Sequence, residues 1–309
     1  MDKLTGVLQM ILPVVLMPAI GMICRKKGIV QKQGIAGLKA LVVNVTLPAV
    51  LIKAFYTADY GLGIVITALS MFAVCLAAMG LGFAFKKLTR TQMTTVPFLF
   101  TGFEAGMLGY ALYTLLFGAN AVTDFATVDL GQVLFVFTVY LTLLNGDAQR
   151  SPKTIIKGML SSPVIISIAV GVVLGATGLA GVISTSAAGG IVMGVLDFVA
   201  APTAAVILFV VGYELEFRKA KLSLALSVVL SRLVMMAALG TLVLLGLGAV
   251  IPVSETLKWA VILMFLLPPP FVLPIFGKNE NEGAFVSASL SFSTLLSLAA
   301  FAVIAVLIV

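Results

Sequence analysis

The sequence predicts an all-α polytopic membrane protein of ten transmembrane helices, arranged as two inverted five-helix repeats. Three observations predict it. Ten stretches of about twenty predominantly apolar residues, each long enough to cross a bilayer, follow one another from Leu4 to Val309. Basic residues gather in alternate connections between these stretches. The prolines and glycines inside them recur at an offset of about half the chain. Composition agrees, with 61% hydrophobic and 10% charged residues and a strongly positive mean hydropathy, outside the range of soluble domains.

The spans are expected near residues 4–23, 36–55, 62–85, 93–117, 126–144, 155–177, 189–212, 222–247, 257–276 and 283–308. Span 1 has no basic stretch before it and carries Arg25, Lys26 and Lys27 after it, the reverse of a secretory signal peptide, so it reads as a retained helix. Connections after odd spans hold Arg25, Lys26, Lys27, Lys32 and Lys39; Lys86, Lys87 and Arg90; Arg150, Lys153 and Lys157; Arg218, Lys219 and Lys221; and Lys278. Those after even spans offer only Lys53 and Lys258. Odd connections are therefore expected in the cytoplasm and both termini outside, extracellular or periplasmic, in a multi-pass protein of the cell membrane. The same alternation explains the net charge of +7 without a nucleic-acid partner. Cys24 and Cys75 lie in or at the edge of apolar spans, which argues against a disulfide framework or metal cluster. With no histidine, proton chemistry falls to carboxylates, and neither metal nor cofactor is expected.

Punctuation defines the repeat. Pro13 in span 1 recurs as Pro163 in span 6, and Pro48 in span 2 as Pro202 in span 7. Span 4, broken by Gly102, Gly106 and Gly109, recurs as span 9, broken by Pro268, Pro269, Pro270 and Pro274. Five spans per half is an odd number, so the halves 1–145 and 154–309 enter the membrane with opposite orientations, with Asn145 to Lys153 as their joint. Such breaks free backbone groups that hydrocarbon cannot satisfy, and they survive where protein or a wet cavity supplies partners.

Few polar residues lie inside the spans. Glu104 falls about eleven residues into span 4, roughly 16 Å along a helix and near the midplane. A carboxylate there costs about 2.5–3.5 kcal/mol on insertion scales. It is either a proton carrier or a structural carboxyl paired within the bundle, and the flanking glycines favour an open site. Asn44, about one turn before Pro48, and Asp197, about one turn before Pro202, are expected to face each other across a shared cavity; Asn44 serves equally well as a helix–helix hydrogen-bonding group. Asp129 and Gln132, one turn apart in span 5, are placed to neighbour the span 4 break, although Asp129 also reads as a solvated helix start. Arg232, deep in span 8, either neutralises an anion or pairs with an internal carboxylate. Lys53 is expected to snorkel, and Ser287, Ser291 and Thr294 to serve close packing of span 10.

These residues together resemble the auxin efflux carrier family. Gly21-Met22-Ile23-Cys24-Arg25-Lys26-Lys27-Gly28 after span 1 is similar to the family's opening, and Asn44-Val45-Thr46-Leu47-Pro48-Ala49 to its span 2 motif. Gly109-Tyr110 ahead of Phe117-Gly118 resembles span 4, and Pro268 to Lys278 followed by Ser287 to Leu298 resembles the end. The resemblance implies spans 1, 2, 6 and 7 as a scaffold, spans 3–5 and 8–10 as a moving, elevator-type transport unit, and spans 4 and 9 crossing at their breaks beside the substrate. The partners expected are the lipid bilayer, a small organic acid and, with the oligomeric state left open, a second copy meeting the chain through the scaffold as a homodimer. One departure stands out: Glu104 falls where family members usually carry an asparagine, and Ala111 where they usually carry the crossover proline.

The expected function is secondary transport of a small organic solute, an organic anion by resemblance, coupled to protons through Glu104. The expected substrate site is Asn44, Thr46, Pro48, Thr101, Glu104, Gly106, Tyr110, Asp197, Pro269, Pro270 and Phe271, with Glu104, Asp129 and Gln132 as ion-coupling groups. Backbone amides at the half-helix N-termini of spans 4 and 9 are expected to hold the anion. The alternatives are a sodium-coupled carrier and a transporter-like receptor, although no segment of this chain resembles a signalling domain. A channel would need a continuous polar lining, and intramembrane hydrolysis a paired-carboxylate or metal motif; the spans show neither, so no enzymatic activity is expected.

Overall fold

The computed structural model describes residues 3–58, 60–144, 152–216, 222–276 and 279–308. Arg150, Arg218, Lys219, Lys221 and Lys278, together with residues 145–151 of the expected joint, lie outside the described residues. Every regular element among the described residues is helical. In chain order they are α1 (Lys3–Lys26), α2 (Lys32–Tyr56), α3 (Leu62–Thr89), α4 (Val96–Leu99), α5 (Ala105–Phe117), α6 (Val122–Leu144), α7 (Pro152–Leu160), α8 (Pro163–Ala176), α9 (Leu179–Ser184), α10 (Ala187–Ala200), α11 (Thr203–Glu214), α12 (Leu222–Val250), α13 (Glu255–Leu266) and α14 (Glu280–Ile308). Seven helical runs among the described residues are long and apolar enough to cross a membrane: α1, α2, α3, α6, Gly189–Glu214, α12 and α14. These are the dimensions of a helical membrane protein.

The outer surface supports that reading. Phe198 is 83% exposed, Val234 71% and Ile191 69%, and exposed leucines and valines run the length of α1. A contiguous face of this kind is unfavourable in water and suited to lipid.

Prolines act differently from one place to the next. Pro13 and Pro18 sit inside α1 without interrupting it, whereas Pro163 opens a new helix after the extended Ser162. The expected pair Pro13 and Pro163 therefore matches in position and differs in form. In α2, Pro48 lacks the N–H that would bond to Asn44. The turn Val42–Thr46 just before it widens to a π-helical one, in which the Leu47 N–H reaches back to the Val42 carbonyl. Pro202 likewise ends α10 and begins α11.

Helix pairing is reciprocal between the two halves. α1 packs along α11, and α8 packs along the C-terminal part of α2. α3 packs on α4 and α6, while α12 packs on α13 and α14. The first pairing is backbone-close: a Cβ at Gly212 would overlap the Pro18 carbonyl, and one at Gly21 the Phe209 carbonyl. In the second, a Cβ at Gly171 would stand 2.7 Å from the Phe55 Cβ. The aromatic core lies instead among α4, α5, α6 and α13. There Tyr110 and Tyr113 pack on Phe125 with ring centroids 5.0 and 5.2 Å apart, and Phe103 packs edge-on to Phe265 at 5.3 Å.

Candidate functional site: two crossed helix breaks beside a basic cavity

Between α4 and α5 the chain leaves the helix over residues 101–104, turned by Gly102 at φ 70°, a left-handed conformation that favours glycine. Between α13 and the short helical turn Leu273–Phe276, the run Leu267–Val272 does the same because three consecutive prolines remove the N–H donors a helix needs. The two breaks touch. The Glu104 N–H donates to the Pro268 carbonyl at 2.8 Å, and a Cβ at Gly102 would stand 2.9 Å from Pro270 Cγ.

The freed carbonyls find protein donors, as an environment without water demands. Arg232 of α12 donates through Nη1 to Leu99 O at 2.9 Å and through Nη2 to Gly102 O at 2.9 Å and Leu267 O at 3.2 Å. Tyr140 reaches Phe98 O, Ser297 reaches Leu266 O and Gln132 reaches Phe103 O. Among the described residues Arg232 thus spends its donors on main-chain carbonyls and not on a carboxylate, one of the two partners its sequence position suggested. Its charge sits at the carbonyl ends of α4 and α13, where the helix dipoles are negative.

Glu104 caps α5. One carboxylate oxygen accepts from Met107 N at 3.1 Å and the other from Phe271 N at 2.5 Å, so the side chain bridges the two breaks. The amides expected to hold an anionic solute are therefore occupied by the protein's own carboxylate. Behind Glu104, Gln132 Nε2 also donates to Asp129 Oδ1 at 3.1 Å, and the Tyr110 hydroxyl donates to Asp129 Oδ2 at 3.0 Å. Asp129 is 2% exposed, so it is a buried network member and not a solvated helix start.

A cavity of about 430 Å³ lies beside this crossing. Its walls are Arg25 at the end of α1, Lys32 and Lys39 of α2, Glu214 and Glu216 at the end of α11, Phe271 of the second break, and Ser287, Ser291 and Thr294 of α14. Lys39 pairs with Glu214 at 2.5 Å and Arg25 with Glu216 at 3.3 Å. Ser287, Ser291 and Thr294 of α14 line this space, and Ser291 also serves the close contact expected of it by bonding to the Glu216 main chain.

The remaining expected site residues disperse. The cavity lining includes Phe271 but not Asn44, Glu104 or Pro270, which the sequence placed around one pocket. Asn44 is exposed and turns its amide back to Ala40 O at 2.7 Å, within its own helix. Asp197 pairs with Lys53, so Asn44 and Asp197 do not face each other across a cavity, and Lys53 has a partner in place of a free snorkelling position. Thr101 is buried and donates to Cys75 O of α3 at 2.7 Å. Thr46 is buried with its hydroxyl unpartnered, Pro48 is half-buried, Gly106 lies against Leu47, and Pro269 and Pro270 are buried at the crossing.

Six polar groups escaped the sequence reading. Arg25, Lys32 and Lys39 were counted as loop charges and become cavity walls, and Glu214 and Glu216 join them. Glu282, 2% exposed, accepts from Thr94 Oγ1, Thr95 N and Thr95 Oγ1 at 2.8–2.9 Å and pins the start of α4 to α14. Its signal was present: Asn279-Glu280-Asn281-Glu282 is a capping sequence, and Asn279 Oδ1 accepts from Glu282 N at 2.9 Å. No family model matches the chain, and no curated protein is significantly similar to it.

Proposed function

We propose that the chain is a secondary active transporter of a small organic anion, working by alternating access and coupled to protons through Glu104. The observation that carries this reading is the crossing of two interrupted helices at Glu104 and Phe271, next to a cavity of about 430 Å³ walled by Arg25, Lys32 and Lys39. Discontinuous helices meeting in the interior of a bundle are the way carriers bring backbone polar groups to a solute at membrane depth. The reciprocal pairing of α1 with α11 and of α8 with α2 supports two inverted five-helix repeats, 1–145 and 154–309. On this reading α1, α2, α8, α10 and α11 form the scaffold, while α3–α6 and α12–α14 move, and the cavity is the vestibule between them on the positively charged, cytoplasmic side.

The sign of the solute follows from the balance of charge on the walls. Arg25 and Lys39 pair with Glu216 and Glu214, Lys32 leaves an excess of one positive charge, and an anion entering there gains attraction before it reaches the crossing. Glu104 then supplies the only carboxyl bonded to both breaks among the described residues, so a proton arriving there alters the crossing directly. The test is uptake by purified protein in liposomes under an imposed pH gradient, against a panel of monocarboxylates, dicarboxylates, amino acids and indole acids. Gradient-dependent accumulation of at least one carboxylate is expected. Absence of accumulation for every carboxylate, with accumulation of a cationic or neutral solute, overturns the anion assignment.

A further inference from the structure

Glu104 occupies a place that the rest of the site suits to a ligand. Its two carboxylate oxygens accept from Met107 N, in the first turn of the 13-residue helix α5, and from Phe271 N in the opposite break. These donors belong to segments 164 residues apart (271 − 107) and converge on one planar group. Phe271 also forms part of the cavity wall, so the second donor lies at the boundary between the crossing and the space a solute would enter. Lys39 and Glu214, on that same wall, are close enough to act electrostatically on Glu104. The cavity therefore borders the break that carries the Phe271 amide, and a tethered carboxylate bridges that amide to the one of Met107.

We propose that Glu104 is a tethered stand-in for the ligand: a small monocarboxylate entering from the cavity displaces the Glu104 carboxylate from the Met107 and Phe271 amides and takes both hydrogen bonds. This deepens the transport reading and rests on it for the direction from which the ligand comes. The geometry specifies the ligand head group. Two amides about one carboxylate apart match a planar two-oxygen anion, in which each oxygen accepts one N–H, and an amide or alcohol fills one position only. Displacement also ties binding to protonation. A protonated Glu104 is a poorer acceptor and yields the amides more readily, so the external carboxylate binds better as pH falls. The titratable and charged groups facing Glu104 are Lys39 from α2, Glu214 from α11, and Asp129 and Tyr140 from α6.

The test separates this inference from transport itself, because it reads binding to detergent-solubilised full-length protein. Glu104→Ala empties the place of the carboxylate and leaves both amides without their acceptor. Formate and acetate, titrated at pH 8, are expected to raise the melting temperature of Glu104→Ala with a midpoint at least tenfold lower than for the wild type, whereas formamide has no effect. A Glu104→Ala protein that melts cooperatively and responds to formate no better than the wild type overturns the proposal. Should that variant fail to fold, the wild type decides alone: benzoate is expected to stabilise it at least tenfold more tightly at pH 5.5 than at pH 8, and equal affinity at the two values overturns the displacement. Rescue by formate in a protein that moves no carboxylate would sustain the site and refute the carrier.

Discussion

Replacing Arg232 by methionine tests how the two breaks are held together, independently of the proposed function. The side chain is 4% exposed and its guanidinium donates to three carbonyls, Leu99 O, Gly102 O and Leu267 O, at 2.9, 2.9 and 3.2 Å. Each lies in a break or at the helix end that leads into one, so helical N–H groups are not available to replace the lost donors. Methionine keeps much of the volume and removes every donor. An orphaned buried acceptor costs about 1–3 kcal/mol; three of them set a loss of about 3 kcal/mol at the low end, because the removed charge no longer has to be desolvated. At roughly 2–4 °C per kcal/mol for larger chains, the melting temperature should fall by about 6 °C or more. Arg232→Lys should fall between, since an ammonium is a point charge without the planar fork that reaches carbonyls of both α4 and α13. The assay is thermal unfolding of detergent-purified protein, followed by cysteine-reactive dye at the buried Cys75 or by circular dichroism. A methionine variant melting within about 2 °C of the wild type would refute the claim that Arg232 secures both breaks.

Two further outcomes follow from packing and charge. Gly212→Ala should destabilise by about 2–3 kcal/mol, since its Cβ would overlap the Pro18 carbonyl, while Gly37→Ala, with open space around it, should stabilise α2 by up to about 1 kcal/mol; the two melting shifts must have opposite signs. In a background with Cys24→Ser and Cys75→Ala, Gly61→Cys should react with an impermeant maleimide from outside intact cells and Gly28→Cys only after permeabilisation, because the charge pattern predicts a cytoplasmic connection at Arg25 to Lys27; the reverse pattern inverts the topology.

Much of the fold was legible because hydropathy and punctuation act locally. The long apolar runs appear as α1, α2, α3, α6, α12 and α14, and the breaks fall at Gly102 and at Pro268 to Pro270, where the backbone itself forbids or discourages a helix. Glu104 was legible as a carboxylate at a break for the same reason. Its partner was not, since Phe271 contributes a main-chain N–H that no side-chain pattern announces. Asn44 and Asp197 misled because polarity in a span has several outlets: Asn44 satisfies its amide on its own helix, and Asp197 finds Lys53. The cavity walls were hidden by the charge count itself. Arg25 and Lys39 served as topology signals, and only the packing of α1 and α2 against α11 shows that they also pair with Glu216 and Glu214.

On the proposed reading, alternating access moves α14 past the end of α11, and Ser291 marks where they meet: its hydroxyl accepts from Glu216 N at 2.9 Å and donates to Glu216 O at 3.0 Å. Glu216→Cys with Ser291→Cys, in the background free of Cys24 and Cys75, places two thiols at that contact. With a carboxylate identified by the uptake panel, the oxidised double variant should retain binding, lose gradient-driven uptake in liposomes and regain it on reduction with dithiothreitol. Uptake by the fully cross-linked protein at the rate of the reduced one would contradict a carrier that works by moving these two units against each other.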